Sequence, residues 1–489
     1  MQRTSAIVTP IASALCFVAM PAGADTITVC AEGCDHVSIN AAIDAAGDGD
    51  VIQLAAEIYV ENAPINTDGK AITLRGAVDR NGSAASILDG GGSWRVLECT
   101  GGEGDDTVFE DLLIRNGSAT NGGGMYIEGS SPTLARCTFA NNWSTTGGGM
   151  YNAQSSAPRL TDCLFTGNSS SQDGAAIRNA DSSPTITNCT FSANGPGREG
   201  GAVYHGGGTL VMVDCSIEGN QAEFSGGGLY LAGDGSTVAG CTFADNTGES
   251  GGGLVLFGDA TISDCSFSGN SVEGAGGGIR IGSGSPAISA CDFVDNSAGS
   301  EGGGMSTVWA SGATITDCLF DGNVAGFNAG GVYNTISSPT FTNCVFINNR
   351  AQYGAGMTNA QCSPSLIDCT FTLNVAEELG GGVRTVNGGP LLLGCRIWCN
   401  APDAIRGGYD DGGDNCIQED CTSCEIDACP GDFNGDGIVD GSDMGTVLAA
   451  WSGKKPCSTV ACLEADLNGD GRVDGADIGL LLSAWGPCS

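Results

Sequence analysis

Eleven cysteines recur every 24 to 27 residues between positions 137 and 395, each followed by Phe or Ile at +2 and by Asn at +5. The cysteines are Cys137, Cys163, Cys189, Cys215, Cys241, Cys265, Cys291, Cys318, Cys344, Cys369 and Cys395. The matching asparagines run from Asn142 and Asn168 to Asn374 and Asn400 without a gap. A fixed period of this size belongs to a solenoid, in which a repeat buries its apolar face only by stacking on its neighbours. The position three before each cysteine is apolar in every copy, from Leu134 and Leu160 to Leu366 and Leu392. Side chains two apart on a strand share a face, so Cys137 and Phe139 are expected to point inward while Thr138 faces out. The three-residue step back to Leu134 implies a corner.

Each coil therefore reads as short strands joined by bends, and the chain as an all-β parallel β-helix. Seven coils place Pro five before the cysteine, as at Pro132 and Pro158, where the first residue of a strand can spare its N–H. Triplets such as Gly147-Gly148-Gly149 allow backbone geometries closed to other residues. The repeated Asn is expected at a bend, its amide bonding to backbone or to the Asn of the next coil. Stacked cysteine Cβ atoms would lie about 4.8 Å apart, beyond the reach of a relaxed disulfide, which favours buried thiols that pack as small hydrophobes. A few strained bridges between coils are the alternative.

The pairing of a Gly-Gly-aliphatic step with Phe-x-x-Asn (Phe139 to Asn142, Phe165 to Asn168, Phe293 to Asn296, with Gly303-Gly304-Met305) resembles the repeat of polymorphic outer-membrane proteins. More broadly it resembles the right-handed pectate-lyase-like β-helix superfamily. That resemblance implies a right-handed parallel β-helix solenoid of about 11–13 coils, a scaffold and not a chemistry. Residues 38–46 form an amphipathic segment opened by a Ser cap. Strand patterns follow at 51–54, 58–60 and 71–74. Together they resemble the capping helix and first strands that close the N-terminal end of such folds.

Residues 1–24 have the pattern of a secretory signal, with Arg3, an apolar run over 11–20 and Ala22-Gly23-Ala24. No later stretch is long and apolar enough for a membrane span, so the product is expected to be secreted or at the cell surface. The formal charge of −38, from 56 acidic against 18 basic residues, disfavours nucleic acid as a partner. It suits a solvated surface that attracts divalent cations. With 24 cysteines and two histidines, export favours disulfides for cysteines outside the repeat. Cys30 with Cys34, and Cys457 with Cys462, fit local bridges. The run Cys416, Cys421, Cys424 and Cys429 fits either disulfides or a four-thiolate zinc site.

Two outward columns stand out. Asp162, Asp214, Asp264, Asp317 and Asp368 precede the cysteine in alternate coils, as a solvated acidic face or a weak calcium row. After the glycine triplet come Tyr126, Tyr151, Arg178, Tyr204 and Tyr230 in five consecutive coils. Phenol rings interrupted by a guanidinium can stack on sugars and bind uronate carboxylates, making these the glycan-contact candidates. Cross-strand aromatic packing explains the same column without a ligand. Catalysis on this fold, as the resemblance implies, would use an Arg or Lys base beside calcium-binding carboxylates, or clustered acids with a His. Neither cluster is legible: Asp105-Asp106 lacks an accompanying Gly-His-Gly, and His205 precedes a plain glycine run. An Arg centre around Arg136, Arg159 or Arg178 is the remaining catalytic option.

Beyond Cys429, DFNGDGIVDGSD is repeated after 34 residues as DLNGDGRVDGAD. A Ca²⁺ ion takes six to eight oxygens, and a loop of this form supplies them from positions 1, 3, 5, 7, 9 and 12, with Gly at 6 making the turn. Two Ca²⁺ sites are expected. The first would use Asp432, Asn434, Asp436, the Ile438 carbonyl, Asp440 and Asp443; the second, Asp466, Asn468, Asp470, the Arg472 carbonyl, Asp474 and Asp477. Short apolar helices are expected at 444–451 and 478–485, with Trp451 and Trp485 packing the pair together and Cys429 and Cys488 closing its ends. Tandem loop–helix units of this kind resemble the type I dockerin domain, which implies a calcium-folded module docking on a cohesin. Gly441-Ser442 and Gly475-Ala476 depart from the Ser or Thr that cohesin-binding members carry at loop positions 10 and 11.

The chain thus divides into a signal (1–24), a cap with the first coils (25–110), the repeat β-helix (111–410), a Cys-rich linker (411–429) and a small α-helical dockerin-like calcium module (430–489). The expected function is an exported, non-catalytic or weakly catalytic β-helix that contacts polysaccharide or the cell surface and is attached to a cohesin-like or other extracellular protein. The alternative is a dockerin-borne polysaccharide lyase or glycoside hydrolase.

Overall fold

The computed structural model describes residues 24–310, 312–421, 431–434, 438–452, 457, 462, 465–468 and 472–487. All but the last residue of the expected signal lie outside these, as do Cys424, Cys429 and Cys488. The expected fold class is present: a right-handed parallel β-solenoid of about 15 turns, which runs on into the segment 411–417 expected as linker. Three long parallel sheets of 16, 15 and 14 strands form its walls. They exceed the 11–13 coils expected because strands ahead of the cysteine repeat, such as Thr26–Val29 and Ile58–Tyr59, join the same sheets, as do Asp410–Asp411 and Cys416–Ile417 after it. At about 4.8 Å per coil the solenoid is roughly 70 Å long.

One coil runs through Thr133–Ala135 on the first sheet and Thr138–Ala140 on the second, then the edge strand Trp143–Thr146, then Met150–Ala153 on the third sheet. Leu134, Cys137, Phe139 and Met150 all point into the core with no exposed surface. Phenylalanines stack along the axis in two runs, Phe139 to Phe191 and Phe243 to Phe371, with centroids 4.3 to 5.1 Å apart and rings within 11° of parallel. Ile217 separates the runs. Each fully buried ring contributes roughly 2 to 3 kcal/mol by area, with a further increment from the stacked geometry.

The asparagine column is a ladder. From Asn142 to Asn400 each Nδ2 donates to the Oδ1 of the next Asn, at 2.9 to 3.1 Å in every link. The same Oδ1 accepts the backbone N–H of the preceding Asn, and Nδ2 also donates to a carbonyl of a neighbouring coil, as Asn168 does to Phe139. A second polar ladder, on the third sheet, had no sequence signal that distinguished it from apolar positions. There Asn152 bonds to Asn179, and Thr307 to Asn334 and on to Asn359, all buried.

The corners have a backbone cause. The residue before each repeat cysteine is left-handed in all eleven coils, with φ between 50° and 65°. Asp, Asn and Gly are the residues that tolerate this region best. The choice of Asp, Asn or Gly at nine of the eleven corners, Arg136 and Ala290 being the other two, therefore follows from turn geometry and from packing between coils. Asp162 and Asp317 accept from the Nδ2 of Asn188 and Asn343, and a Cβ at Gly240 would lie 2.4 Å from Asp214 Oδ1. Glycine triplets answer a different constraint. In Gly147-Gly148-Gly149 the first residue has φ 65°, and a Cβ on the second would sit 2.4 Å from the Ala175 carbonyl of the next coil.

The helix Ile39–Ala45 is capped by Ser38, whose hydroxyl accepts from Ala41 N–H, and it buries Ile39, Ala42 and Ile43 against the end of the core. Cys30–Cys34 and Cys457–Cys462 are disulfides as expected. Cys421 pairs with Cys399, a residue that the spacing argument overlooked because it stands inside the last repeat phrase. Cys416 is also disulfide-bonded, so among the described members of the four-cysteine run the bonding is disulfide. All eleven repeat cysteines are free and buried. Their thiols donate to carbonyls of their own and the preceding coil, as Cys163 Sγ does to Thr161 and Leu134. Beside its buried neighbour Cys189, the Cys215 thiol is pushed up to about 12.

Candidate functional site

The third sheet holds the tyrosine column in register: Tyr126 pairs with Tyr151, Tyr151 with Arg178, Arg178 with Tyr204 and Tyr204 with Tyr230. All five side chains are half-buried. Tyr126 and Tyr151 stack at 5.6 Å, and Tyr204 and Tyr230 at 4.8 Å. The Arg178 guanidinium fills the gap, 5.4 Å from the Tyr151 ring and 5.2 Å from Tyr204. Arg95 covers Tyr126 at 4.7 Å and Phe257 closes on Tyr230 at 5.7 Å. Each ring face is thus occupied by its neighbour in the column. What remains for a ligand is the edge: hydroxyls and ring rims.

Arg178 is held at two points, although its buried Nε makes no hydrogen bond. Its Nη1 donates to Tyr151 Oη at 3.0 Å, and its Nε stands 3.7 Å from Asp173 Oδ2. Asp173 and Glu199 precede the first glycine of successive coils, joined by Gly174 N–H to the Glu199 carbonyl at 2.9 Å. Burial raises the Asp173 carboxyl above its ordinary value against the pull of Arg178 and Arg198. Glu199 is raised by burial and by the charge of Asp173. Neither acid was singled out from sequence, because loops of varying length carry them and no period marks them.

Other options recede. Arg136 is held by Asp111 at 2.7 and 2.9 Å and by Glu110 at 2.8 Å, which raises its own pKa. Arg159 is exposed on the first sheet, in register with Thr133 and Thr185. His205 faces the core with no exposed surface; burial lowers its pKa, and its Nε2–H donates to the Gly208 carbonyl at 3.2 Å.

In the C-terminal module the helices span Gly441–Ala449 and Gly475–Ser483, starting three residues earlier than the apolar pattern indicated. The reason is capping: Asp440 and Asp474 each accept the N–H two residues on, and each shares a reciprocal capping box with Asp443 or Asp477. Asp443 and Asp477, at loop position 12, are buried. Asp443 Oδ1 accepts from Phe433 N–H at 2.7 Å and Asn434 N–H at 3.2 Å, and Oδ2 from Asp440 N–H at 2.9 Å. Asp477 repeats the pattern with Asn468 and Asp474. Each loop is therefore folded around a buried carboxylate that has no cationic partner among the described residues. An all-oxygen donor set around an uncompensated buried charge fits a hard divalent cation. Asp436 and Asp470 lie outside the described residues, and among the described residues no group of three acids converges as a metal cage.

The pair is held by Val439, Val447, Val473 and Leu481, and by antiparallel pairing of Ile438 with Pro487. Trp451 and Trp485 do not pack it together; they are 49% and 48% exposed. Leu448 and Leu482, at the same 34-residue offset, are likewise 53% and 52% exposed.

A parallel β-helix joined to a tandem loop–helix module is the class of protein that this fold and these loops define. The chain belongs to the right handed beta helix region family, whose model matches residues 78–243 and 227–397. It also carries a dockerin type I domain, matched over residues 430–483. Dockerin type I domains bind calcium and cohesins. Among solved structures, the chain is similar to a mannuronic acid specific polysaccharide family 6 lyase from human gut microbiota, at 14% identity over 65% of this chain and 86% of that one, with a TM-score of 0.38. It is similar to the catalytic unit of an alpha-1,3-glucanase from Streptomyces thermodiastaticus at 14% identity, 82% and 70% coverage and a TM-score of 0.36. For tailspike protein 3 of bacteriophage CBA120 the values are 11%, 72%, 58% and 0.32. No curated protein matches the chain. Among the described residues no helix is long and apolar enough to cross a membrane.

Proposed function

We propose that this chain is an exported β-helix that contacts polysaccharide along the Tyr126 to Tyr230 column and is attached, through its dockerin domain, to a cohesin-like or other extracellular protein. The supporting observation is the clamping of Arg178 between Tyr151 and Tyr204 with its charge met by Asp173. Such a column is rigid before any ligand arrives, so its hydroxyls need not be ordered on binding. Because the ring faces are covered, contact would run through Tyr hydroxyls and the flanking carboxyls.

For the module we assign two calcium ions, held by Asp432, Asn434, Asp436, the Ile438 carbonyl, Asp440 and Asp443, and by Asp466, Asn468, Asp470, the Arg472 carbonyl, Asp474 and Asp477. The matched exposure of Leu448 with Leu482, and of Trp451 with Trp485, supports an apolar docking face in two equivalent copies.

A polysaccharide lyase or glycoside hydrolase is the second reading, favoured by the paired, half-buried Asp173 and Glu199 beside Arg178. Affinity electrophoresis on acidic and neutral polysaccharides, run with a reducing-end assay, tests both. Retardation without released ends supports the binding protein. Ends that appear with the wild type and vanish in Asp173→Asn and Glu199→Gln would establish the enzyme. A chain that neither binds nor cleaves any polysaccharide would sink the glycan reading.

A further inference from the structure

Trp143 opens the strand Trp143–Thr146 on a three-stranded edge sheet, where its register partners are Ser118 in the preceding coil and Ser169 in the next. Both neighbours are small, and the indole is 47% exposed. In contrast to the tyrosine column, among the described residues no ring or guanidinium is stacked on it. It borders a cleft shared with Gly91, Gly92, Asn116, Ser118 and Asn141.

No charged side chain lines this cleft, on a protein with 56 acidic residues. Its floor is a tight turn: Gly91 and Gly92 have φ of 59° and 69°, and a Cβ added to either would meet nothing within 4 Å. The backbone there is bare and open to a close-lying ligand. Asn116 and Asn141 sit at left-handed corners of successive coils. Asn116 is fixed by donating its Nδ2 to both oxygens of Asp89, at 3.1 and 3.0 Å, which leaves its amide oxygen as an acceptor. A free indole face with uncharged amide and hydroxyl groups around it matches a ring that has an apolar C–H face and a rim of hydroxyls. An anionic sugar would find no cation here and a strongly negative protein around it.

We propose that the Trp143 cleft is a binding site for a neutral sugar ring, seated on the indole and hydrogen-bonded by Asn116, Ser118 and Asn141. This rests on the glycan reading above and assigns it a second contact, with a preference for neutral chains. The full chain, with calcium present, is titrated calorimetrically with cello-, manno- and laminari-hexaose and with oligogalacturonate. A neutral hexaose is expected to bind at least tenfold more tightly than oligogalacturonate. Trp143→Ala should weaken that binding at least tenfold, Trp143→Tyr should restore most of it, and Trp309→Ala, at an indole 66% exposed elsewhere, should leave it unchanged. Wild-type affinity in Trp143→Ala, with loss in Tyr204→Ala, overturns the site and leaves the column reading standing. Tighter binding of oligogalacturonate overturns the neutral preference. Failure of every saccharide to bind the wild type overturns the site and the glycan reading together.

Discussion

Asn194 Nδ2 donates to Asn220 Oδ1 at 2.9 Å, while Asn194 N–H reaches the same oxygen at 3.0 Å. One buried amide thus serves two donors below it and, through its own Nδ2, the Phe191 carbonyl and Asn246. Asn220→Ala removes one bond from each of these four groups in a dry core, although Asn194 Nδ2 keeps the Phe165 carbonyl and Asn246 Oδ1 keeps the Asn220 backbone N–H. The expected cost is about 3 kcal/mol, since each unsatisfied buried group costs roughly 1 to 3 kcal/mol and some relax. Asn142→Ala, at the first rung, where the side chain makes three such bonds, should cost less. Equilibrium denaturation of the two variants checks the order.

Lys70 is the one lysine ahead of position 454, and its Nζ donates to the Ile43, Asp44 and Ala46 carbonyls at 2.6, 3.0 and 2.9 Å. A cation at the end of the capping helix satisfies carbonyls that the helix leaves open. Lys70→Met is expected to lower stability by about 1 to 2 kcal/mol. Hydrogen exchange should accelerate over residues 39–46 and remain slow in the central coils. Uniform acceleration would show that the cap is not an independent element.

Glu103 is buried, and its carboxylate accepts from Thr67, Gly69, Gly101 and Ser130 at 2.7 to 3.0 Å. Burial acts to raise its pKa, but the bonds from Thr67 and Ser130 and from backbone N–H groups outweigh it and leave the group below its ordinary 4.5. A carboxyl lowered in the folded state adds stability that is present above the unfolded value and lost as pH falls through the folded one. Denaturation midpoints should therefore drop below about pH 4.5. Glu103→Gln should be less stable at pH 7 and show a shallower acid limb. An unchanged limb would assign the drop to other carboxylates.

Thirteen described cysteines are free and buried, eleven of them in the repeat column. Every one of these thiols is buried in the packed core, so none is exposed to a reagent in the native chain. Ellman's reagent is expected to label almost none of them in the native chain and all of them in denaturant. Rapid native labelling of several would contradict the packed column.

Calorimetric titration with Ca²⁺ should give two ions per chain. Asp443→Ala and Asp477→Ala should each reduce the count to one, because each removes the carboxylate around which one loop is wound. Full stoichiometry in either variant would shift the assignment to other oxygens.

Much of the solenoid was legible because its physics is periodic. An inward position must be apolar in every coil, so Leu134, Cys137 and Phe139 recur, and a ladder residue must recur to bond to itself, so Asn142 does. The dockerin loops were legible as a motif because the spacing of oxygen-bearing residues within twelve positions is a local property of the chain. The buried Asn152–Asn179 ladder and Cys399–Cys421 were not, since a polar residue at an inward position and a cysteine inside a repeat look like exceptions until their partners are adjacent. The alternating Asp column was legible as a pattern but not as a cause, which is the left-handed corner.

The sequence by itself determined the repeat, the columns and their register, since these follow from covalent spacing and strand alternation. It located Tyr126, Tyr151, Arg178, Tyr204 and Tyr230 on one outward line. Only the tertiary structure decided what that line offers: side-chain torsions and neighbours from coils some 25 residues away turn the rings onto one another and leave the indole of Trp143 open. Which face of an aromatic ring meets solvent depends on contacts across coils, and spacing along the chain carries no record of them.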